Sequence, residues 1–244
     1  MKRIVIIAAA LTWSATAGAQ EVPSYAHRSF LLPAGGFQIS GDPARNELVR
    51  VTASNDDFGK RVGIAPHFYF GVSREVTLGI THDWGLCLGC DRIYNDAGFA
   101  FLWSLLASQG FELDLHLRAA ASSLDPVRVA MGGGVIGRYD FSQQVSLVFD
   151  PSLMIGVTHK SFALSLPAWF FFQPSPAVSP FVGTGLYGDL EGFFGHFAIP
   201  VEGGVMFTAS AHVDLGAILR FYNLLGHGGS LDGRELGMLA RFRL

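Results

Sequence analysis

FELDLHLRAAAS, residues 111–122, is the stretch on which the reading of the chain turns. Phe111, Leu113, Leu115, Leu117, Ala119 and Ala121 are apolar, and Glu112, Asp114, His116 and Arg118 stand between them. An apolar residue at every second position belongs to an extended strand whose two faces meet different surroundings. In a soluble sheet the apolar face lies inside and the charged face outside. The rest of the sequence has to say which face is which here.

Composition narrows the choice. Half of the 244 residues are hydrophobic, 13% are aromatic and only 15% are charged, against about 25% charged in an ordinary soluble domain. The chain is too apolar for a disordered protein, and with 2 Cys it is no disulfide scaffold. Its 17 Lys and Arg do not exceed its 20 Asp and Glu, so nothing in its charge points to nucleic acid. The first residues, MKRIVIIAAALTWSATAGAQ, place Lys2 and Arg3 before the apolar run Ile4 to Leu11 and end in Ala17-Gly18-Ala19. That three-part layout predicts a secretory signal peptide over 1–19, cleaved after Ala19. Loss of Lys2 and Arg3 takes the formal charge from −3 to −5. The greasiest later run, Phe162 to Phe172, is broken by Ser165 and Pro167 and falls short of the roughly 18 residues of a membrane helix.

Alternation recurs along the chain. Val62, Ile64, Pro66, Phe68, Phe70 and Val72 share one face. Val76, Leu78, Ile80, His82 and Trp84 share another, and Val145, Leu147, Phe149, Leu153, Ile155 and Val157 a third. Further strands fit 98–108, 128–139, 161–172, 179–188, 195–208, 211–222 and 234–244. The stretch before Arg61 reads as one strand interrupted at Asp42-Pro43, because Pro has no N–H to give a ladder. The count is about twelve, with ten as the alternative. The connections sort by parity: short at 73–75, 108–110, 140–144, 173–177 and 209–212, longer at 54–60, 85–97, 122–127, 189–195 and 223–233. Residues 158–161 are the short exception on the longer side. Short turns at one end and longer loops at the other mark an outer-membrane barrel, with the short turns periplasmic.

Leu236, Met238, Ala240, Phe242 and Leu244 form the apolar face of the last strand. Here the chain resembles the bacterial outer-membrane β-barrel family, whose final strand alternates in this way and commonly ends in an aromatic. This chain keeps Phe242 but ends on Leu244. The hairpins YFGVSREVTLGI and RYDFSQQVSLVF are similar to the aromatic-then-short-turn hairpins of the same family. The resemblance implies outer-membrane lipid as solvent and a barrel-insertion machinery that recognises the last strand.

The expected fold is therefore an all-β, closed, antiparallel up-and-down transmembrane barrel over 34–244. It follows a short N-terminal periplasmic segment at 20–33. In such a barrel the apolar face meets lipid and the charged face the lumen. That answers the question of the opening stretch: Leu115 faces out and His116 in. Clustered aromatics at Phe68 to Phe70, at Tyr139 and Phe141, and at Trp169 to Phe172 fit interfacial girdles. The same register puts Arg61, His67, Asp83, Glu112, Asp114, His116, Arg118, Arg138, Asp150, Glu202, Asp214, Arg220, Arg241 and Arg243 inside. Mixed signs allow two readings, a polar pore whose charges select solutes or an ion-paired filling. Twelve strands fall between a filled eight-stranded barrel and an open sixteen-stranded one. Gly132, Gly134, Gly183 and Gly185 would leave room on that inner face.

Cys87 and Cys90, in the longest outer loop, read as a local disulfide, since an exported chain folds in oxidising surroundings. Zinc would need two more ligands, and a redox pair usually opens a helix. No G-x-S-x-G, H-E-x-x-H or phosphate-loop motif occurs, and no cofactor is called for. His227-Gly228-Gly229-Ser230, His196 near Glu202, and Asp114 near His116 are unspecific pairings. The leading expectation is a narrow porin-like or transporter-like channel for small solutes. An outer-membrane lipid-modifying enzyme and a closed barrel that only displays its loops stand as alternatives.

Overall fold

The computed structural model describes residues 25–41, 47–53, 61–83, 85–94, 96–158, 160–191, 196–231 and 233–244. The expected signal peptide, the loop at 54–60 and the interruption at Asp42-Pro43 lie outside the described residues. Twelve strands run in chain order. They are β1 (Phe37–Ser40 and Glu47–Ala53), β2 (Arg61–Ile64 and His67–Gly71), β3 (Val76–Thr81), β4 (Ala97–Ser108), β5 (Phe111–Leu124) and β6 (Val127–Asp140). They continue as β7 (Val145–Phe149 and Ser152–Gly156), β8 (Ser161–Ser165 and Ala168–Phe172), β9 (Val178–Thr184 and Tyr187–Asp189), β10 (Val201–Thr208), β11 (Val213–Phe221) and β12 (Arg234–Arg243). A short outer piece, Leu86–Leu88, pairs back on β2 at Val62↔Leu88.

Each strand pairs antiparallel with the next, and β12 closes on β1 through Gln38↔Arg243 and Val51↔Leu236. Closure leaves no open edge, which a lipid-exposed sheet needs because hydrocarbon satisfies no backbone group. Several strands bend where Pro interrupts the ladder. The breaks in β7 and β8 lie side by side, at Asp150-Pro151 and Leu166-Pro167, joined by Asp150 N–H donating to the Pro167 carbonyl (3.2 Å). The break in β9 at 185–186 continues the line through Leu166 and Leu186.

Leu117, Phe99, Trp103, Met131, Ile155, Phe170, Val182, Leu215 and Met238 are all exposed, while their strand neighbours turn inward. Such a continuous apolar outer wall is stable against lipid, not water. Near the short turns it carries an aromatic belt, in which Phe111, Tyr139, Phe141 and Phe170 follow edge to edge or stacked. Tyr139 and Phe141 join it whole, but the clusters at Phe68 to Phe70 and Trp169 to Phe172 face out only in part. Phe170 is 49% exposed but Phe171 only 2%, and Tyr69 and Trp169 are likewise buried. A run of consecutive aromatics on one strand must alternate, so half of it faces the interior.

Two connections differ from expectation. Residues 122–127 are a tight hairpin, since β5 runs on to Leu124 and β6 starts at Val127. The pairing shifts by one residue between Ala121 and Ser123, which absorbs the extra residue. β10 begins at Val201, not near 195, and Ala198 makes only an isolated bridge to Tyr187.

Before β1 the chain makes a short 3-10 turn, Tyr25–His27, and runs to Gly36. Tyr25, Ala26, Leu31 and Leu32 of this segment are buried with inward residues of the wall. Residues 25–33 thus lie in the short-turn mouth of the barrel.

Candidate functional site

The enclosed face is the candidate site. Its charged residues are neighbours across the ladder, so they meet in pairs. Glu112 stands opposite Arg138, Asp214 opposite Arg241, and Arg220 opposite both Glu202 and Glu235. Arg138 reaches Glu112 at 3.1 Å and Asp140 at 3.5 Å. Arg241 reaches Asp214 at 2.8 Å. Arg220 bridges Glu202 at 2.5 Å and Glu235, while Trp169 donates to Glu202 and Tyr222 to Glu235. Asp114 is fully buried beside them. Arg243 donates to Gln38 (2.5 Å) and to the Ser29 carbonyl (2.6 Å). Cross-linked in this way, Arg138, Arg220 and Arg241 take the place of water for the carboxylates opposite them.

Toward the longer loops the wall opens. A cavity of about 200 Å³ is lined by His67, Tyr69, His116, Arg118, Asp150, Trp169 and Tyr187, with Ser152, Ser165 and the kink residue Pro167. His116 Nδ1 lies 3.6 Å from Asp150, and Arg118 pairs with Asp83. His67 bridges the Tyr69 hydroxyl (3.0 Å) and the His82 carbonyl (2.7 Å). Arg61 stands apart, exposed at the outer rim, where it lines a second hollow with Arg92, Asp96 and Asp125. Cys87 and Cys90 border that hollow and are joined as a disulfide, their Cα atoms 5.6 Å apart.

The glycines do not leave empty space. A Cβ on Gly132 would run into Met154 and the Leu153 carbonyl, and one on Gly134 into the Pro151 carbonyl. At Gly183 it would meet Trp169 and Glu202, and at Gly185 Tyr187 and Pro167. These positions are glycine because the kinked neighbours press against them.

Sequence reasoning missed an apolar inner layer. Leu102, Ile136, Val148, Phe171, Phe181, Met206, Ile218 and Leu239 are buried on the enclosed face near the short turns. The signal was present where alternation lapses: Phe101-Leu102-Trp103, Leu147-Val148-Phe149 and Met238-Leu239-Ala240 are apolar on both faces.

On the last strand Leu236, Met238, Phe242 and Leu244 are exposed and Ala240 is buried, next to the pairing shift between Met238 and Leu239. Among the described residues no group of three His, Cys, Asp or Glu side chains could hold a metal ion. His196 and His227 rings lie 6.3 Å apart, without a third ligand type beside them.

No family model and no curated protein matches the chain. Solved structures do. The NanC porin superimposes with a TM-score of 0.58 at 8% identity, covering 80% of this chain and 97% of that one. The KdgM porin gives 0.55 at 6% identity, covering 85% and 98%. The fold is that of a bacterial outer-membrane porin. The KdgM porin in complex with disordered oligogalacturonate aligns equally well, with a TM-score of 0.54 at 7% identity over 85% of this chain. At such identities the porin likeness extends to the barrel and not to what passes through it.

Proposed function

We propose that the chain is a narrow outer-membrane channel for small polar solutes without net charge. It is exported with residues 1–19 removed and inserted by machinery that reads Leu236, Met238, Ala240, Phe242 and Leu244. The observation that carries this reading is the 200 Å³ vestibule on the longer-loop side, whose charges are matched within the wall itself. Arg118 is held by Asp83 and His116 faces Asp150. Deeper in, Arg138 and Arg220 each touch two carboxylates. A lumen suited to an acidic oligosaccharide such as oligogalacturonate would instead present an excess of cationic groups along its path. Tyr69, Trp169 and Tyr187, interleaved with Ser152, Ser165 and Thr81, offer apolar faces and hydroxyl partners to an uncharged polar molecule.

Single-channel recording in planar bilayers tests this. The expected result is discrete steps with weak ion selectivity, shifted toward anions by Asp150→Asn or Asp83→Asn. Strong anion selectivity in the unmodified protein would overturn the reading. So would an inserted barrel that shows no steps even after residues 25–33 are removed.

A further inference from the structure

We infer that residues 25–36 are a plug that closes the short-turn mouth of the channel and can leave it without breaking the barrel. The inference rests on the channel reading above. The segment sits inside the closed wall, yet it adds no strand to it. Among the described residues its backbone pairs with that of the ladder only at its end, where Gly35 N–H donates to the Gly71 carbonyl (2.8 Å) and Gly71 N–H to the Gly36 carbonyl (2.9 Å). Gly36 N–H also donates to the Pro33 carbonyl (2.8 Å), and Gly35 has φ +80°, so the chain turns sharply inward at the lip of the barrel. Gly71 is required under that turn, because a Cβ there would run into the carbonyls of Leu32 and Pro33.

Beyond the turn, the attachments among the described residues run through side chains. Arg28 bonds the Ser210 and Ala211 carbonyls and lies 3.2 Å from Asp214, which it shares with Arg241. Ser29 bonds Glu112, and Glu112 also accepts from Phe30 N–H (3.0 Å). Arg138 donates to the carbonyls of Ala26 and Arg28, and Arg243 to that of Ser29. Tyr25 packs on Phe171 with the Arg241 guanidinium 4.4 Å above its ring. Leu32 N–H donates to Thr77 Oγ1 (2.9 Å).

The wall is built to receive it. Tyr25, Ala26, Leu31 and Leu32 join the inner apolar layer of Leu102, Ile136, Phe171, Phe181, Met206 and Ile218 in one cluster. A lumen that only passed polar solutes has no use for such a layer, whereas a docking site for an apolar segment does. The same inner residues, Glu112, Arg138, Asp214, Arg241 and Arg243, thus serve as the seat of the plug. The vestibule lies on the other side of the apolar layer and ends against it.

The test compares four forms of the full chain in planar bilayers, with folding checked by heat-modifiable gel migration. These are the unmodified protein, a deletion of residues 25–33, Arg28→Glu, and Tyr25→Cys/Thr208→Cys bridged by a short, reducible bis-thiosulfonate. Tyr25 N–H already lies 3.2 Å from Thr208 Oγ1, so the bridge fixes the tip of the segment where it stands. The deletion and Arg28→Glu should raise open time by about tenfold or more, as a shifted two-state equilibrium does. The bridged form should stay shut until reductant is added, with the unmodified protein plus reductant as the control for Cys87–Cys90. Conductance in the bridged form equal to the unmodified protein overturns the plug and leaves the channel standing. Folded release variants that behave as the unmodified protein while it conducts do the same. Silence of every form, the deletion included, removes the channel reading and the plug with it.

Discussion

The side chains of β5 carry the argument at the smallest scale. Leu115 and Leu117 lie on the outer wall, and Glu112 and Asp114 are buried opposite Arg138 and Ile136 of β6, with Glu112 also bonded to Ser29 and Phe30. Placing a charge on the outer face opposes insertion, so Leu115→Arg should lower stability in lipid vesicles by roughly 2–4 kcal/mol near the midplane. Denaturant titration of the folded barrel would measure it, and His116→Arg at the adjacent inward position should cost far less. Arg220 is the most consequential inner charge among the described residues, since it bridges Glu202 and Glu235. Arg220→Ala would leave two buried carboxylates facing each other and should cost about 3–5 kcal/mol, read by the same titration. These pairings were legible in the sequence to the extent that register was, because acids and bases alternate at matching heights on successive hairpins. What the residues left open was the choice between a selective pore and an ion-paired filling. That depends on ladder partners such as Glu202↔Arg220, which no single strand displays.

Strands are the next scale, and here alternation was both informative and incomplete. The strands whose side chains are described follow the hydrophobic period, apart from Leu239 to Arg241, which are buried in succession, and the interruption expected at Asp42-Pro43 falls outside the described residues. Where a strand is apolar on both faces the alternation lapses, so the lapses at Phe101 to Trp103, Leu147 to Phe149 and Met238 to Ala240 marked the inner layer, but the period did not say what it packs against. Trp169 to Phe172 shows the difficulty: four aromatics in a row suit an interfacial girdle, but their burial alternates between lumen and lipid. The glycines misled for a related reason. Gly132 and Gly134 are small because β7, kinked at Pro151, crosses close to them, and not because space is needed in the lumen. Gly134→Val should therefore reduce the yield of folded barrel on refolding into lipid, measured by heat-modifiable migration, more than Gly203→Val, where a Cβ meets only one carbonyl at 3.7 Å. The Cys87–Cys90 bridge closes too short a segment to matter to the barrel. Its reduction should change the unfolding free energy by no more than about 2 kcal/mol, with the effect confined to the outer loop.

For the molecule as a whole, closure and the sorting of faces follow from the same pattern that the opening stretch displays. A chain with few charges can afford to keep them inside only if its outside is lipid. Loop parity set the expected orientation of the hairpins, and the likeness to solved porins bears on the fold alone. Residues 20–33 read as a short N-terminal periplasmic segment, and a segment that is neither strand nor helix gives no hint of where it docks, so the place of residues 25–33 in the barrel mouth was not legible. Their place in the mouth makes the barrel a vestibule with a closed floor in this state, which a count of strands alone would not distinguish from an open pore. The sorting of faces is the claim on which everything else depends, and a nitroxide scan of positions 111–122 in the refolded, lipid-embedded protein tests it most directly. The account predicts accessibility to oxygen that peaks at 113, 115 and 117 and falls at 112, 114 and 116. Oxygen accessibility that is high at the even positions, or that does not alternate, would contradict it.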